Sequence, residues 1–360
     1  MAALTIRRCA GTCISTSGKR LCIIRKISAV GTTAQFSKHV LDIDCEREAE
    51  RIAVRMRGML SEKFKRRGFV VAISGGVDSS VTLALSVRAV GKERVFALQM
   101  PELHSCGETL GISERLADHF GVVREHTDIT PILEAAGFYE KYDAAVRSVI
   151  PGYDGGWKSK IVLPNILEGR NLALFSIVAQ SPCGEIIKKR LPFKAYLEIL
   201  AATNFKQRIR KMLEYYHADR LHYATTGTPN RLEYDQGFFV KLGDGAGDIK
   251  PIAHLYKSQV YKLAEHLGVP VEICGRPPTT DTYSLAQGQD EFFFSLSHEK
   301  MDLCLYALNS HIPADLAGPV IGLSAEQVQR VYQDIGQKRS TTRYLHLKPQ
   351  LVEPVPEIAF

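Results

Sequence analysis

Apolar residues recur at helical spacing soon after Asp44. Ile52, Met56, Met59 and Leu60 lie in an otherwise charged background, the pattern of an amphipathic helix. The period then changes. Phe69-Val70-Val71-Ala72-Ile73 is an unbroken apolar run, and Arg94-Val95-Phe96-Ala97-Leu98 is a second apolar stretch behind one leading arginine. Runs this short predict buried strands. Between them, Ser79 to Val90 predicts a helix that stops at Gly91. Strand, helix and strand within some thirty residues form a βαβ unit, which implies a parallel sheet. Residues 112–120 predict the next helix, and Val122 to His126 the next strand.

Residues 151–193 break this rhythm with Gly152, Gly155, Gly156, Pro164, Pro182, Gly184 and Pro192. Leu172 to Val178 and Glu185 to Lys189 read as strands joined through Ser181-Pro182-Cys183-Gly184, a hairpin turn. The stretch is expected to be a lid or an insertion. The α/β pattern resumes with a helix from Lys194 to His217, a strand at His222 to Thr226, and helices at Tyr256 to Leu267 and Ala325 to Ile335. No internal repeat or long linker interrupts it. One catalytic domain over about residues 45–345, followed by a tail at 346–360, is the simplest division.

Charge changes the picture at the N-terminus. Residues 1–41 carry seven Lys and Arg and no Asp or Glu, which leaves 39 basic residues against 39 acidic ones in residues 42–360. A basic, Ser- and Thr-rich segment over 1–40 suits a disordered leader, an organelle transit peptide or a start codon placed too far upstream. The neutral body argues against a general nucleic-acid binder, whose affinity rests on many phosphate contacts. It leaves room for one small anion in one pocket. No apolar run of about 18 residues predicts a membrane-spanning helix. The eight cysteines form no C-x-x-C and read as reduced thiols, mostly buried filler, in a cytoplasmic setting.

The sharpest chemical signal is Ser74-Gly75-Gly76-Val77-Asp78-Ser79-Ser80, set between a strand and a helix. Glycines let a ligand approach the main chain, and loop N–H groups with the positive end of a helix suit an anion. Ser74, Ser79 and Ser80 add hydroxyls. Asp78 would repel bare phosphate and makes sense if it also holds Mg²⁺. A plain turn with Asp78 or Ser79 as N-cap is the bland alternative. The string is not a Walker loop, since no G-x-x-x-x-G-K-[ST] occurs. Gly243-x-Gly245-x-Gly247 has no feeding strand, which rejects a Rossmann reading.

SGGVDSS resembles the pyrophosphate loop of the ATP pyrophosphatases. Farther on, Gly227-Thr228-Pro229-Asn230-Arg231-Leu232-Glu233, Gly237-Phe238-Phe239-Val240-Lys241-Leu242-Gly243-Asp244-Gly245, Asp248, Pro251-Ile252 and Leu255-Tyr256-Lys257-Ser258-Gln259-Val260 resemble ammonia-dependent NAD synthetase. Val240 stands for its usual Thr and Leu242 for Tyr. Asn204 to Met212 resembles the N-x-x-A-R-x-R-M helix of that family, with Gln207 for Ala. Arg276-Pro277-Pro278-Thr279-Thr280-Asp281 resembles its later turn. Gln337-Lys338-Arg339 stands where the family often has H-K-R, and Thr342 to His346 matches no motif. Residues 155–193 exceed the minimal family length.

The resemblance implies an α/β fold with a flavodoxin-like, adenine-nucleotide α-hydrolase-like parallel sheet and helices on both faces. It implies a homodimer with deamido-NAD across the interface. The activity implied is ATP-dependent amidation of deamido-NAD by ammonia, with another amide-forming ATP pyrophosphatase as the alternative. Ser74, Gly75, Gly76, Val77, Asp78, Ser79 and Ser80 then hold the phosphates. Arg208, Thr228, Lys257 and Thr279 are expected to bind ATP, and Asp78 and Glu233 to hold Mg²⁺. Asn204, Lys241, Asp244, Asp248 and Lys338 are expected to meet deamido-NAD. Asp244, Lys257 and Thr279 are expected to act in the chemistry.

Overall fold

Alternate residues of the first apolar run feed two different cores. In the computed structural model, which describes residues 36–105, 107–163, 166–168, 175–280, 282–289 and 293–358, Phe69 and Val71 of β1 (Phe69–Ala72) pack into one core and Val70 into the other. In β2 (Val95–Gln99), Val95 and Ala97 face one way, Phe96 and Leu98 the other. A strand covered on both faces needs no polar alternation, so its sequence is continuously apolar. With β3 (Val123–His126) and β7 (Ala224–Thr225) these strands form a parallel sheet of order β3-β2-β1-β7.

One face is covered by α1 (Cys45–Gly58), α2 (Val77–Val90), α3 (Gly107–Phe120), α8 (Lys257–His266) and α9 (Val271–Cys274). The start of α1 follows from its cap. Asp44 accepts the Arg47 N–H at 3.0 Å, and Glu46 and Glu48 sit in the positive first turn. The other face carries α4 (Thr130–Ala135), α5 (Phe138–Arg147) and α6 (Phe193–Leu221). A third cluster gathers α7 (Arg231–Gln236), α10 (His298–Asn309), α11 (Ala314–Ile321) and α12 (Ala325–His346).

Three elements differ from the sequence pattern. The expected hairpin is a three-stranded antiparallel sheet of β4 (Lys158–Val162), β5 (Ser176–Gln180) and β6 (Ile186–Arg190). Its turn is as predicted, with Ser181 pairing to Glu185 and Gly184 at φ 89°. The predicted first residues of that hairpin, 172–174, lie outside the described residues. Helix α6 runs four residues past His217 and ends at His222, in the left-handed region at φ 58°. Helix α12 continues eleven residues past Ile335. A two-stranded ribbon, β8 (Thr279–Thr280) with β9 (Gln287–Gly288), completes the fold.

The predicted leader lies outside the described residues up to residue 35. From Phe36 the chain is packed: Leu41 is buried and its carbonyl accepts from Gln259 at 3.1 Å. Among the described residues no helix is long and apolar enough to cross a membrane.

Candidate active site

The sheet order locates the crevice. The chain leaves β1 toward β2 on one side, while β7 lies on the other, so the loops after β1 and β7 diverge. Ligands of open α/β sheets bind where such loops part, at the carboxyl ends of the strands. The loop after β1 is the Ser74–Ser80 string. Gly75 has φ 73°, and a Cβ there would stand 3.0 Å from the Thr109 carbonyl. Gly76 is the N-cap of α2 and offers no capping side chain. The first-turn N–H groups therefore face the crevice with only the helix dipole behind them. Ser79 and Ser80 donate their hydroxyls to the Gly76 carbonyl at 3.0 and 2.9 Å, and Ser74 N–H donates to Ser79 Oγ at 3.3 Å. Val77 is buried and anchors the turn.

Opposite the loop, α7 begins with a capping box. Asn230 Oδ1 accepts the Glu233 N–H at 3.2 Å, and Glu233 Oε2 accepts the Asn230 N–H at 3.1 Å. The same Asn230 donates from Nδ2 to Asp78 Oδ1 at 3.0 Å. Gln289 donates to Glu233 Oε1 at 2.9 Å. Lys257, in the first turn of α8, forms a buried ion pair with Asp78. Two carboxylates and one ammonium thus meet at the mouth of the loop.

Their charges are coupled. Burial, then the nearby Asp78 charge, pushes the Glu233 carboxyl up to about 8, against the pull of Lys257. Burial alone would lower the Lys257 ammonium, but Asp78 and Glu233 outweigh it and raise it. Lys257 is therefore a cation at neutral pH. The donors are hard oxygens, and burial and the Asp78 charge hold Glu233 back from ionising, so a small dication would suit the pair. Among the described residues no group of three His, Cys, Asp or Glu side chains could hold a metal. An ion held by Asp78 and Glu233 would have to take its remaining ligands from phosphate or water.

A cleft of about 630 Å³ opens from this cluster. Ser74, Gly76, Asp78, Ser79, Thr228 and Glu233 line its inner end, and Asn204, Arg208, Lys241, Asp244 and Thr279 the rest. Asp244 is half-buried; one oxygen accepts the Val240 N–H at 2.7 Å, and burial raises its carboxyl. Lys241 donates to the Tyr344 carbonyl at 2.9 Å, its ammonium 4.0 Å from the Tyr344 ring centre. Arg208 donates to the Lys241 carbonyl at 3.3 Å. A second cavity, about 230 Å³, shares Ser74, Ser79, Thr228 and Asp244 and reaches the buried pair Lys211–Glu214, 2.5 Å apart.

Two expected substrate contacts point elsewhere. Asp248 accepts the Thr225 N–H at 2.7 Å and bonds Tyr215 at 3.3 Å, fastening the end of β7. Lys338 donates to the Phe293 carbonyl at 2.5 Å and pairs with Asp334 at 2.7 Å. Thr342, Tyr344 and Leu345, from the stretch that matched no motif, line the cleft. Asn230 and Gln289, which hold the two carboxylates, had no assigned role in the sequence. The polar residue before Glu233's helix was the one available signal for Asn230.

The family model described as NAD synthase matches residues 49–152 and 178–343, passing over 153–177. An NH(3)-dependent NAD(+) synthetase of Rhizobium meliloti (strain 1021) is 56% identical over 323 residues, 90% of this chain and 96% of that protein. One of Rhizobium rhizogenes is 51% identical over 328 residues, 91% of this chain and 99% of that protein. The solved NH3-dependent NAD synthetase of Campylobacter jejuni has the same fold, with a TM-score of 0.57 at 21% identity over 86% of this chain and all of that one. A solved NMN synthetase of Francisella tularensis is similar in fold at a TM-score of 0.55 and 20% identity, over 86% of this chain and 100% of that one.

Proposed function

The chain belongs to the NAD synthase family, and from that membership we propose that it is a carbon–nitrogen ligase that amidates deamido-NAD to NAD with ATP and ammonia. A nicotinate carboxylate is a poor acylating agent because oxide is a poor leaving group. Its oxygen attacks the α-phosphorus of ATP, and the α–β bridging bond breaks to release pyrophosphate. The adenylylated carboxyl is then attacked at carbon by ammonia. The nitrogen loses a proton, the carbon–oxygen bond to AMP breaks, and the amide remains.

The chain's residues divide this work. The Ser74–Ser80 loop takes the pyrophosphate portion on backbone N–H groups and hydroxyls. Lys257 and Thr279 neutralise the oxygens on which charge grows as the bridge breaks. Thr228 and Arg208 hold the nucleotide. Asp78 and Glu233 would hold Mg²⁺ together with phosphate oxygens; when bound, the ion screens the triphosphate and polarises it. Asn204 and Lys241 orient the dinucleotide. The raised carboxyl of Asp244, beside the nicotinate, serves as proton acceptor for the incoming ammonia. Gly75 and Val77 shape the loop and add backbone N–H groups to it, and Ser80 ties it to the Gly76 carbonyl. Asp248 and Lys338 act only as supports.

A second copy of the chain belongs in this reading. Exposed Phe193, Leu197, Met212 and Tyr216 run along α6 on the side that also carries Asn204 and Arg208, so a homodimer partner covering them closes the cleft. A cytoplasmic setting belongs to the same reading; Cys45, Cys183, Cys274 and Cys304 are free in the structure.

The observation that carries the proposal is the meeting of Asp78, Glu233 and Lys257 at the phosphate loop, opening onto a cleft that holds Asn204, Lys241 and Asp244. The test supplies ATP, Mg²⁺, ammonium and deamido-NAD, and follows NAD and AMP. Equal yields of both are expected. AMP release only with some other carboxylate would favour a different amide-forming member, with its pocket reshaped by Phe175 and Tyr196 at the cleft wall.

A further inference from the structure

At the start of helix α8 the Gln259 side chain accepts the Tyr256 N–H at 3.0 Å, but the N-cap Tyr256 gives no side-chain bond to the amides of the first turn. The first N–H groups of a helix have no partner within it, and buried ones are costly to leave unpaired. Here the partner comes from a different helix. Asp302 of α10 is wholly buried, and its two oxygens accept the N–H groups of Lys257 at 3.1 Å and of Ser258 at 2.7 Å. These are the first two residues of α8.

The arrangement resolves an oddity. A lysine in the first turn is disfavoured by the helix dipole, and Lys257 is buried as well, 2% exposed. One anion meets its side chain and another its backbone: Asp78 pairs with the ammonium, and Asp302 pairs with the main-chain N–H. Burial pushes the Asp302 carboxyl up to about 6, with the Ser258 and Lys257 N–H groups pulling it back. It is therefore ionised at neutral pH. Among the described residues no other group accepts these two N–H groups.

We propose that Asp302 is a positioning residue for the ligase reaction: by gripping both first-turn amides of α8 it fixes the point from which Lys257 reaches Asp78 and the ATP phosphates. Asp302 touches no substrate and acts through Lys257. The proposal rests on the ligase reading given above. It follows that Asp302 governs turnover rather than dinucleotide affinity, because the deamido-NAD contacts lie on α6 and on the 241–244 turn.

The test combines kinetics with amide hydrogen exchange on the full-length chain. Asp302→Asn replaces one accepting oxygen by an N–H that opposes the helix amides. The expected result is a fall in kcat of about tenfold or more, as small misplacements of a catalytic group produce, with KM for deamido-NAD unchanged within about twofold. In a Lys257→Met background the same change should add less than about a twofold loss, since residues acting as a unit are not additive. Asp302→Glu is the second variant. It keeps the carboxylate charge beside the first-turn amides and leaves Lys257 and Ser258 unaltered, but its extra methylene displaces the two gripping oxygens. It should lower kcat in the same way, and it carries the test where Asp302→Asn does not fold.

A variant that loses thermal stability but keeps wild-type kcat would make Asp302 a structural cap only. Full multiplication of the two losses would also overturn the proposal. Exchange at the Lys257 and Ser258 amides reads the grip without any turnover, and Asp302→Asn should quicken it at least about tenfold. Should the wild type make no NAD, the ligase reading falls, while the exchange result still decides the grip. Unchanged exchange would sink the positioning role on its own.

Discussion

At the scale of single residues, conformation and charge set what each position tolerates. Gly75 occupies the left-handed region at φ 73°, with Thr109 O and Ile112 Cγ2 only 3.0 and 3.3 Å from an added Cβ. Gly75→Ala should cost about 1–2 kcal/mol from backbone strain alone. It should also move the N–H groups that face phosphate, so ATP turnover is expected to fall at least tenfold while the circular dichroism spectrum is retained. His104 offers a pH test away from the reacting groups. Its ring lies 3.4 Å from the buried Lys206 ammonium, which also pairs with Glu102 at 2.8 Å and the Thr282 carbonyl at 3.0 Å. Burial and then Lys206 depress the imidazole from 6.5 to about 4, against Glu102. The folded chain therefore refuses a proton that the unfolded chain accepts. The stability contributed is present above pH 6.5 and is lost as pH falls toward 4, with a slope of up to about 1.4 kcal/mol per pH unit. Urea titrations across that window should show the slope, and His104→Gln should lessen it. An unaltered slope would mean that the ring does not titrate as its surroundings dictate.

At the scale of elements, legibility followed burial. The first βαβ unit was readable because strands covered on both faces are continuously apolar and Gly91 ends the helix between them. Strand β4 was not. Its inward positions are Ser159 and Ile161, and the inward serine hides the alternation. Tyr142 and Tyr153 satisfy that hydroxyl at 2.8 and 3.0 Å, a fact about tertiary neighbours that no local pattern carries. The last eleven residues of α12 were illegible for a related reason. Beyond Ile335 they present no apolar stripe, yet Arg339 makes a two-pronged pair with Asp235 at 2.6 and 2.7 Å and bonds Asn309 at 2.6 Å. Polar contacts hold that helix where propensity patterns see only charge. Helix α7 gives the element its own test. Asn230 caps the helix and also restrains Asp78, two roles that separate by substitution. Asn230→Ala should cost about 1–2 kcal/mol in unfolding free energy and slow turnover. Asn230→Ser should regain most of the stability through its hydroxyl cap and little of the activity, because serine is too short to reach Asp78. Joint recovery of both would show that the bond to Asp78 is idle.

At the scale of the whole molecule, the sheet order gathers residues that the sequence scatters. Asp78, Glu233 and Lys257 were expected at one phosphate site from motifs in a fixed order, and the crevice between the loops after β1 and β7 brings them together. Asp248 and Lys338 share those motifs but spend their charges on Thr225 and Phe293, which only the packed chain reveals. Gln289 and Asp302 hold the cluster from segments with no recognisable pattern. The proposed homodimer would make the oligomeric state a catalytic matter. Phe193, Leu197, Met212 and Tyr216 are 74%, 46%, 56% and 62% exposed along α6, an apolar run that a lone soluble chain has little reason to keep on one helix. Asn204 and Arg208, which line the cleft, stand on the same side of that helix. A partner laid against α6 would exclude water from the outer cleft without reaching the phosphate loop. Leu197→Glu combined with Met212→Glu should therefore turn a dimer into a monomer by sedimentation velocity, since two buried charges facing their symmetry mates oppose association. The monomer should show a KM for deamido-NAD raised at least about tenfold and ATP binding little changed. A double variant that stays dimeric, or a monomer with unaltered dinucleotide affinity, would place the partner on another face and leave the cleft complete within one chain.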